Sequence, residues 1–132
     1  MLPLPANQAP CPCQSGKSFE HCCAPLIDGS RLAPDAQALM RSRYTAYCLQ
    51  HDEYLLATWH PETRPENLEW EVPAVKWIGL QVRRFLPLDS EHAQVEFVAR
   101  CRIGGRAQRL HELSRFVNDG GQWYYVDGEM IG

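Results

Sequence analysis

The chain has 132 residues, 45% hydrophobic and 22% charged, with a formal net charge of −3. That supplies one core and not two, and no run of lysine or arginine exceeds two residues, which argues against a nucleic-acid partner. No stretch approaches the ~18 apolar residues of a membrane span; the first ten residues hold three prolines, no basic residue and no apolar run of signal-peptide length, so a soluble cytoplasmic protein with no membrane partner is expected.

The first feature along the chain is Cys11-Pro-Cys-Gln-Ser-Gly-Lys-Ser-Phe-Glu-His-Cys-Cys23, which holds four of the six cysteines as C-x-C, eight residues, then C-C. Without an export signal such crowding favours a metal over disulfides or over ordinary reduced thiols. Zinc takes four thiolates in a tetrahedron, and two close pairs joined by a short loop supply them. Cys11, Cys13, Cys22 and Cys23 are the expected ligands, with His21 able to replace one of them. Gly16 lets the chain reverse, the amides of Gln14 to Lys17 are candidate donors to sulfur, and Lys17 adds a nearby cation. A dication with four thiolates carries a net charge near −2 and no open position, so a structural role is expected. Neither pair has the C-x-x-C spacing of a thioredoxin-type site. Gly16-Lys17-Ser18 is not a phosphate-binding loop, because the glycine required five residues earlier is Cys11.

Residues 24–33 read as a connector. Pro34 suits a first helical position, Asp35 places its charge at the positive end of the dipole, and a helix is expected to about Gln50. Ala36, Leu39, Met40, Tyr44 and Tyr47 form its apolar stripe, with Arg43 near the middle. A guanidinium there must be paired, reach solvent or face a cavity; Arg41 points to the polar side. Asp52 is the expected cap of a second helix bearing Leu55, Leu56 and Trp59, closed by His60-Pro61. A polar stretch to about Val72 follows, with a helical turn expected over Glu66 to Trp70.

Val75 to Leu86 reads as a strand with Ile78, Leu80 and Val82 on one face and a bulge at Arg83-Arg84. His92 to Ile103 alternates, with Ala93, Val95, Phe97, Ala99, Cys101 and Ile103 inward. Cys101 and Cys48 are therefore packing residues. Gly104-Gly105 and Asn118-Asp-Gly-Gly121 are hairpin turns. Between them, Ala107 to Val117 has no purely apolar face: Leu110, Glu112, Ser114 and Phe116 share one side. Helices followed by an antiparallel meander make an α+β order.

The cysteine segment resembles the SEC-C motif, the zinc-binding element at the C-terminus of the SecA translocation ATPase. Leu39-Met-Arg-Ser-Arg-Tyr-Thr-Ala-Tyr47, Thr58-Trp-His-Pro61, Ser114-Arg-Phe116 and Gln122-Trp-Tyr-Tyr-Val-Asp-Gly128 resemble the YchJ family of bacterial proteins. That likeness implies a SEC-C element over residues 1–29 and an NTF2-like domain over 30–132, a curved sheet wrapped around helices with a pocket at its open end. Arg43, Trp59, His60, Glu112, Tyr125 and Asp127 are the residues expected to converge there.

Three functions compete. A protein-interaction adaptor, with the zinc element presenting a surface to a partner, follows from the likeness to SecA, whose motif contacts an export chaperone and the ribosome. The alternatives are a small-molecule-binding protein and an enzyme using the cavity, with His60 or Glu112 as general base and Arg43 stabilising an anion. No nucleophile with an adjacent base stands at a recognisable spacing, so no catalytic residue is assigned.

Overall fold

A computed structural model describes residues 1–131. Short polar residues at the chain reversals decide where its helices begin. Asp35 accepts from the Ala38 amide at 2.8 Å and starts α2, Ala36–Leu49. A carboxylate there satisfies one of the unpaired amides of the first turn, which leaves Pro34 outside the helix rather than at its first position. The next helix, α3 (Asp52–Ala57), is capped by His51, not Asp52: His51 Nδ1 accepts from the Tyr54 amide at 3.1 Å. Asp52 is thereby free to accept from Trp70 Nε1 at 2.8 Å. That bond ties down the segment after the helix, and residues 66–70 stay irregular instead of forming the expected turn. The supposed connector at 24–33 contains a single helical turn, α1 (Ala24–Ile27), which buries Leu26 and Ile27.

Four strands follow: β1 (Lys76–Pro87), β2 (His92–Ile103), β3 (Arg106–Asp119) and β4 (Gln122–Met130). They pair antiparallel in chain order, an α+β meander. The alternation of β2 holds, with Ala93, Val95, Phe97, Ala99 and Cys101 all buried and Ile103 half-buried at the rim. Gly104 and Gly105 adopt φ of 58° and 81°, the left-handed pair a tight hairpin needs.

Three extra residues re-aim the sheet. In β1 the register steps at Ile78, which turns outward and is 47% exposed while Trp77, Leu80 and Val82 face the helix side. The expected bulge at Arg83 is present. In β4, Phe116 pairs with Tyr125 but Arg115 pairs with Asp127, so Val126 is the unmatched residue. A bulge adds one residue to one strand and shifts everything beyond it by one face.

Helix α2 packs in the concave face of the sheet, where Leu39, Met40 and Tyr44 meet Leu80, Val95, Phe97 and Phe116. Cys11, Cys13, Phe19 and Cys23 belong to the same cluster. The helix is therefore buried on more than its predicted stripe: Ser42, Thr45 and Ala46 are also inaccessible.

Candidate functional site

The four cysteine sulfurs all lie within 4.8 Å of one another. Cys13 Sγ is 3.6 Å from Cys22 Sγ, and Cys22 Sγ is 3.9 Å from Cys23 Sγ. A tetrahedron with metal–sulfur bonds of ~2.3 Å has sulfurs about 3.8 Å apart, so the residues fit a tetrathiolate metal site. Left without a cation, the thiols conflict. Hydrogen bonds from Cys11 and Cys23 pull the Cys13 thiol far below its ordinary value. In return Cys13 pushes Cys11 up to about 11, while Cys11 and Cys13 together raise Cys23. One dication lets all four ionise together.

Hydroxyls approach the sulfurs alongside one backbone amide, that of Cys13, which favours the ionised Cys11. The amides of Gln14 and Lys17 go to Cys11 O and Ser15 Oγ. Thr45 Oγ1, on α2, donates to Cys23 Sγ at 3.4 Å and lies 3.8 Å from Cys11 Sγ, and Ser15 Oγ is 3.1 Å from Cys22 Sγ. His21 is exposed and turns to Glu20 at 3.3 Å, outside the sulfur cluster. Arg41, expected in solvent, donates from Nη1 to Cys13 O at 2.9 Å. Gln14 spans the edge of β1, donating to Ile78 O at 3.2 Å and accepting from the Leu80 amide at 3.3 Å. A Cβ at Gly79 would meet Gln14 Oε1 at 2.9 Å, so a side chain there would displace this clamp. The cysteine element is thus fastened both to α2 and to the sheet.

On the pocket side of α2 is a cavity of about 250 Å³, walled by Met40, Tyr44, Trp77, Phe97 and Leu110 and carrying Arg43, Tyr47, Glu112, Ser114 and Tyr125. Arg43 is 4% exposed. Its Nη1 donates to Leu55 O at 2.8 Å and to Thr58 Oγ1 at 2.7 Å. The guanidinium carbon lies 4.6 Å from the Tyr125 ring centre and 5.1 Å from that of Trp59, contacts that favour a cation. No carboxylate among the described residues forms an ion pair with it. Burial lowers its pKa, and the neighbouring Tyr47, Tyr125 and Tyr54 oppose that shift. Glu112 accepts from Ser114 Oγ and lies over Gly128, where a Cβ would stand 2.6 Å from its carboxylate oxygen.

Of the six residues expected to converge, Arg43, Glu112 and Tyr125 line this cavity. Trp59 stands behind it, its ring 5.1 Å from Tyr125; its buried indole nitrogen finds no partner among the described residues. His60 and Asp127 lie elsewhere. His60 follows Trp59 in a segment bridged to Tyr125, so its ring points the opposite way, packing 5.8 Å from Tyr124 with Nε2 3.8 Å from Asp119. Asp127 is carried to the other face by the bulge at Val126 and pairs with Arg115 at 2.6 Å. Tyr47 and Ser114 were not among the expected residues, although each sits at the right spacing from Arg43 and Glu112. Cys48 and Cys101 stand outside the metal cluster as packing residues, and burial pushes the Cys48 thiol up to about 12.

Residues 9–25 match the SEC-C motif and residues 35–128 match the model described as "YchJ, middle NTF2-like domain". A UPF0225 protein of Polaromonas naphthalenivorans is 54% identical over 127 residues, 96% of this chain and 88% of that one. Another from Bordetella parapertussis is 52% identical over 128 residues, 96% of each. The solution structure of a SEC-C motif containing protein from Rhodopseudomonas palustris superposes with a TM-score of 0.83 at 37% identity, covering 92% of this chain and 98% of that one. A crystal structure of a SEC-C motif containing protein from Psychrobacter arcticus gives 0.79 at 30% identity, covering 96% and 85%. The two matched segments together with these near-full-length relatives show that the chain belongs to the YchJ family of UPF0225 proteins.

Proposed function

We propose that the protein binds a small organic molecule in the cavity of its NTF2-like domain, and that a zinc ion on Cys11, Cys13, Cys22 and Cys23 fastens the SEC-C element to that domain. The single observation that carries the first part is Arg43. A buried guanidinium without a carboxylate partner is costly to maintain, and it opens on a cavity with apolar walls. Ligand sites are built this way, a few polar groups converging on an apolar concavity.

Zinc is the reading for the metal because four soft thiolates in a closed tetrahedron suit it and leave no open position. When bound it supplies folding free energy. The thiols must stay reduced for this, which supports a cytoplasmic setting. Among the described residues no helix is long and apolar enough to cross a membrane.

Three of the four cysteines face the core, which favours a structural element over a docking surface. The adaptor reading retains the exposed rim of the motif, Lys17 and His21. The enzyme reading loses His60, which lies outside the cavity, and keeps Glu112 and Arg43 inside it. The test is amide-resolved NMR of the zinc-loaded protein with a panel of neutral, cationic and anionic ring compounds. Binding shifts the amides of Met40, Tyr44, Phe97 and Leu110. A panel that leaves all of them unmoved refutes the small-molecule reading, and partner capture that Cys22→Ser abolishes while the sheet stays folded would replace it with the adaptor.

A further inference from the structure

Resting on that small-molecule reading, we infer that the ligand is a monocarboxylic acid with a ring-sized apolar body, its carboxylate held by the edge of Arg43 that Leu55 and Thr58 do not use and a hydrogen-bond donor elsewhere on it held by Glu112. Both recorded hydrogen bonds of Arg43 run from Nη1. Nε and Nη2 make no close hydrogen bond among the described residues; the Tyr47 hydroxyl also reaches the guanidinium, and Arg43 and Tyr47 both line the cavity. Two parallel N–H groups on one guanidinium edge match the two oxygens of a carboxylate. Trp59 and Tyr125 lie against the guanidinium, so a carboxylate meets it at its edge, where the Tyr47 hydroxyl shares the contact.

The rest of the cavity sets the remainder of the molecule. Arg43 stands at the Phe116 end, because it lies over Tyr125, whose ring is 5.8 Å from that of Phe116. Glu112 enters the cavity from further back on β3, with its carboxylate beside Ser114 and over Gly128. The apolar side chains of Met40, Tyr44, Phe97 and Leu110 line the same cavity. A volume of about 250 Å³ exceeds the ~150 Å³ of an apolar cavity that takes up benzene, which leaves room for one ring and a short acid group. The Glu112 carboxylate repels a second negative charge beside it, so dicarboxylates and phosphate dianions are disfavoured, while an amino or hydroxyl group is accepted.

Calorimetry of the zinc-loaded protein at pH 7.5 tests this with 4-aminobenzoate, its neutral isostere 4-aminobenzamide, benzoate and inorganic phosphate. The expected result is one 4-aminobenzoate per chain, bound at least tenfold more tightly than the amide. Arg43→Met abolishes that preference, and Arg43→Lys, which keeps the charge but loses the fork, removes most of it. Should Arg43→Met not fold, the comparison of acid and amide in the native protein stands alone. Equal binding of acid and amide overturns the inference while leaving the small-molecule reading intact, and so does phosphate competing as well as benzoate. If the panel above moves no cavity amide, the underlying reading has failed and the inference goes with it. The native protein prefers 4-aminobenzoate to benzoate and Glu112→Met does not; equal affinities in the native protein overturn the part assigned to Glu112.

Discussion

Thr45 is where the helix meets the metal site, and Thr45→Val isolates the contact. Valine has the same shape and the same branching at Cβ, so helix propensity and packing barely change. What is lost is one hydroxyl, wholly buried, that donates to Cys23 Sγ at 3.4 Å. A hydrogen bond to a charged acceptor contributes about 1.5–3 kcal/mol, and the long sulfur distance puts this one near the lower figure. In the zinc-bound protein the acceptor is a thiolate and the loss is felt in full. In the metal-free protein Cys23 is held protonated, its sulfur accepts weakly, and the valine costs little. The difference between the two states must appear as metal affinity: ~1.4 kcal/mol is a tenfold weaker zinc dissociation constant, within the range seen when groups that support metal ligands are removed. Competition with a chromophoric chelator reads the affinity directly, and urea unfolding of loaded and chelated protein reads the two stabilities. Thr45→Ser restores the hydroxyl and recovers most of the affinity. Unchanged affinity in Thr45→Val, or an equal loss of stability with and without metal, refutes the argument and leaves Thr45 a packing residue.

Elemental analysis of protein purified without chelator finds one zinc per chain; chelation exposes Cys11, Cys13 and Cys23 to a thiol reagent and lowers the melting temperature, and metal-free protein from anaerobic handling counts against the site. On the outer face of the sheet, the Glu96 carboxyl is held below its ordinary value first by His111 Nε2 at 2.6 Å and then by Arg84 at 2.6 Å. A carboxyl depressed in the folded state stabilises fully above its unfolded pKa of about 4.3, and that contribution is lost as pH falls through the folded value. Glu96→Gln therefore flattens the dependence of unfolding free energy on pH below that point, and an unchanged slope disproves the pairing. Trp59→Phe removes an indole N–H that has no partner among the described residues; relief of its burial cost, about 1–3 kcal/mol, offsets the smaller ring. Urea unfolding places this variant within ~1 kcal/mol of the native protein; a markedly larger loss shows that the N–H is bonded.

Much of this protein is written in local patterns. The two cysteine pairs declare a tetrathiolate site because the ligand number and spacing of a metal are short-range requirements, and the sulfurs do converge. The alternation of His92 to Ile103 and the glycine pairs at 104–105 and 120–121 yield the meander, because a strand's side-chain period and a hairpin's backbone angles belong to a few consecutive residues. The spacing of Ala36, Leu39, Met40, Arg43 and Tyr44 placed a guanidinium on the buried face of a helix.

Tertiary structure decided what those patterns leave open. Period-two counting puts Tyr125 and Asp127 on one face, but the unmatched Val126 separates them; unlike the bulge at Arg83, which breaks the alternation of β1, this one leaves no mark in its strand's own polarity. His60 shares a segment with Trp59 yet faces away, because the bridge to Tyr125 sets its direction. Only packing shows that Arg43 has an open cavity rather than a carboxylate beside it, and that one helix touches thiols through Thr45 and the cavity through Arg43. Ligand number and side-chain period are properties of neighbours in the chain, whereas pairing register, enclosed volume and the company of a buried charge depend on residues that meet only when the chain has folded.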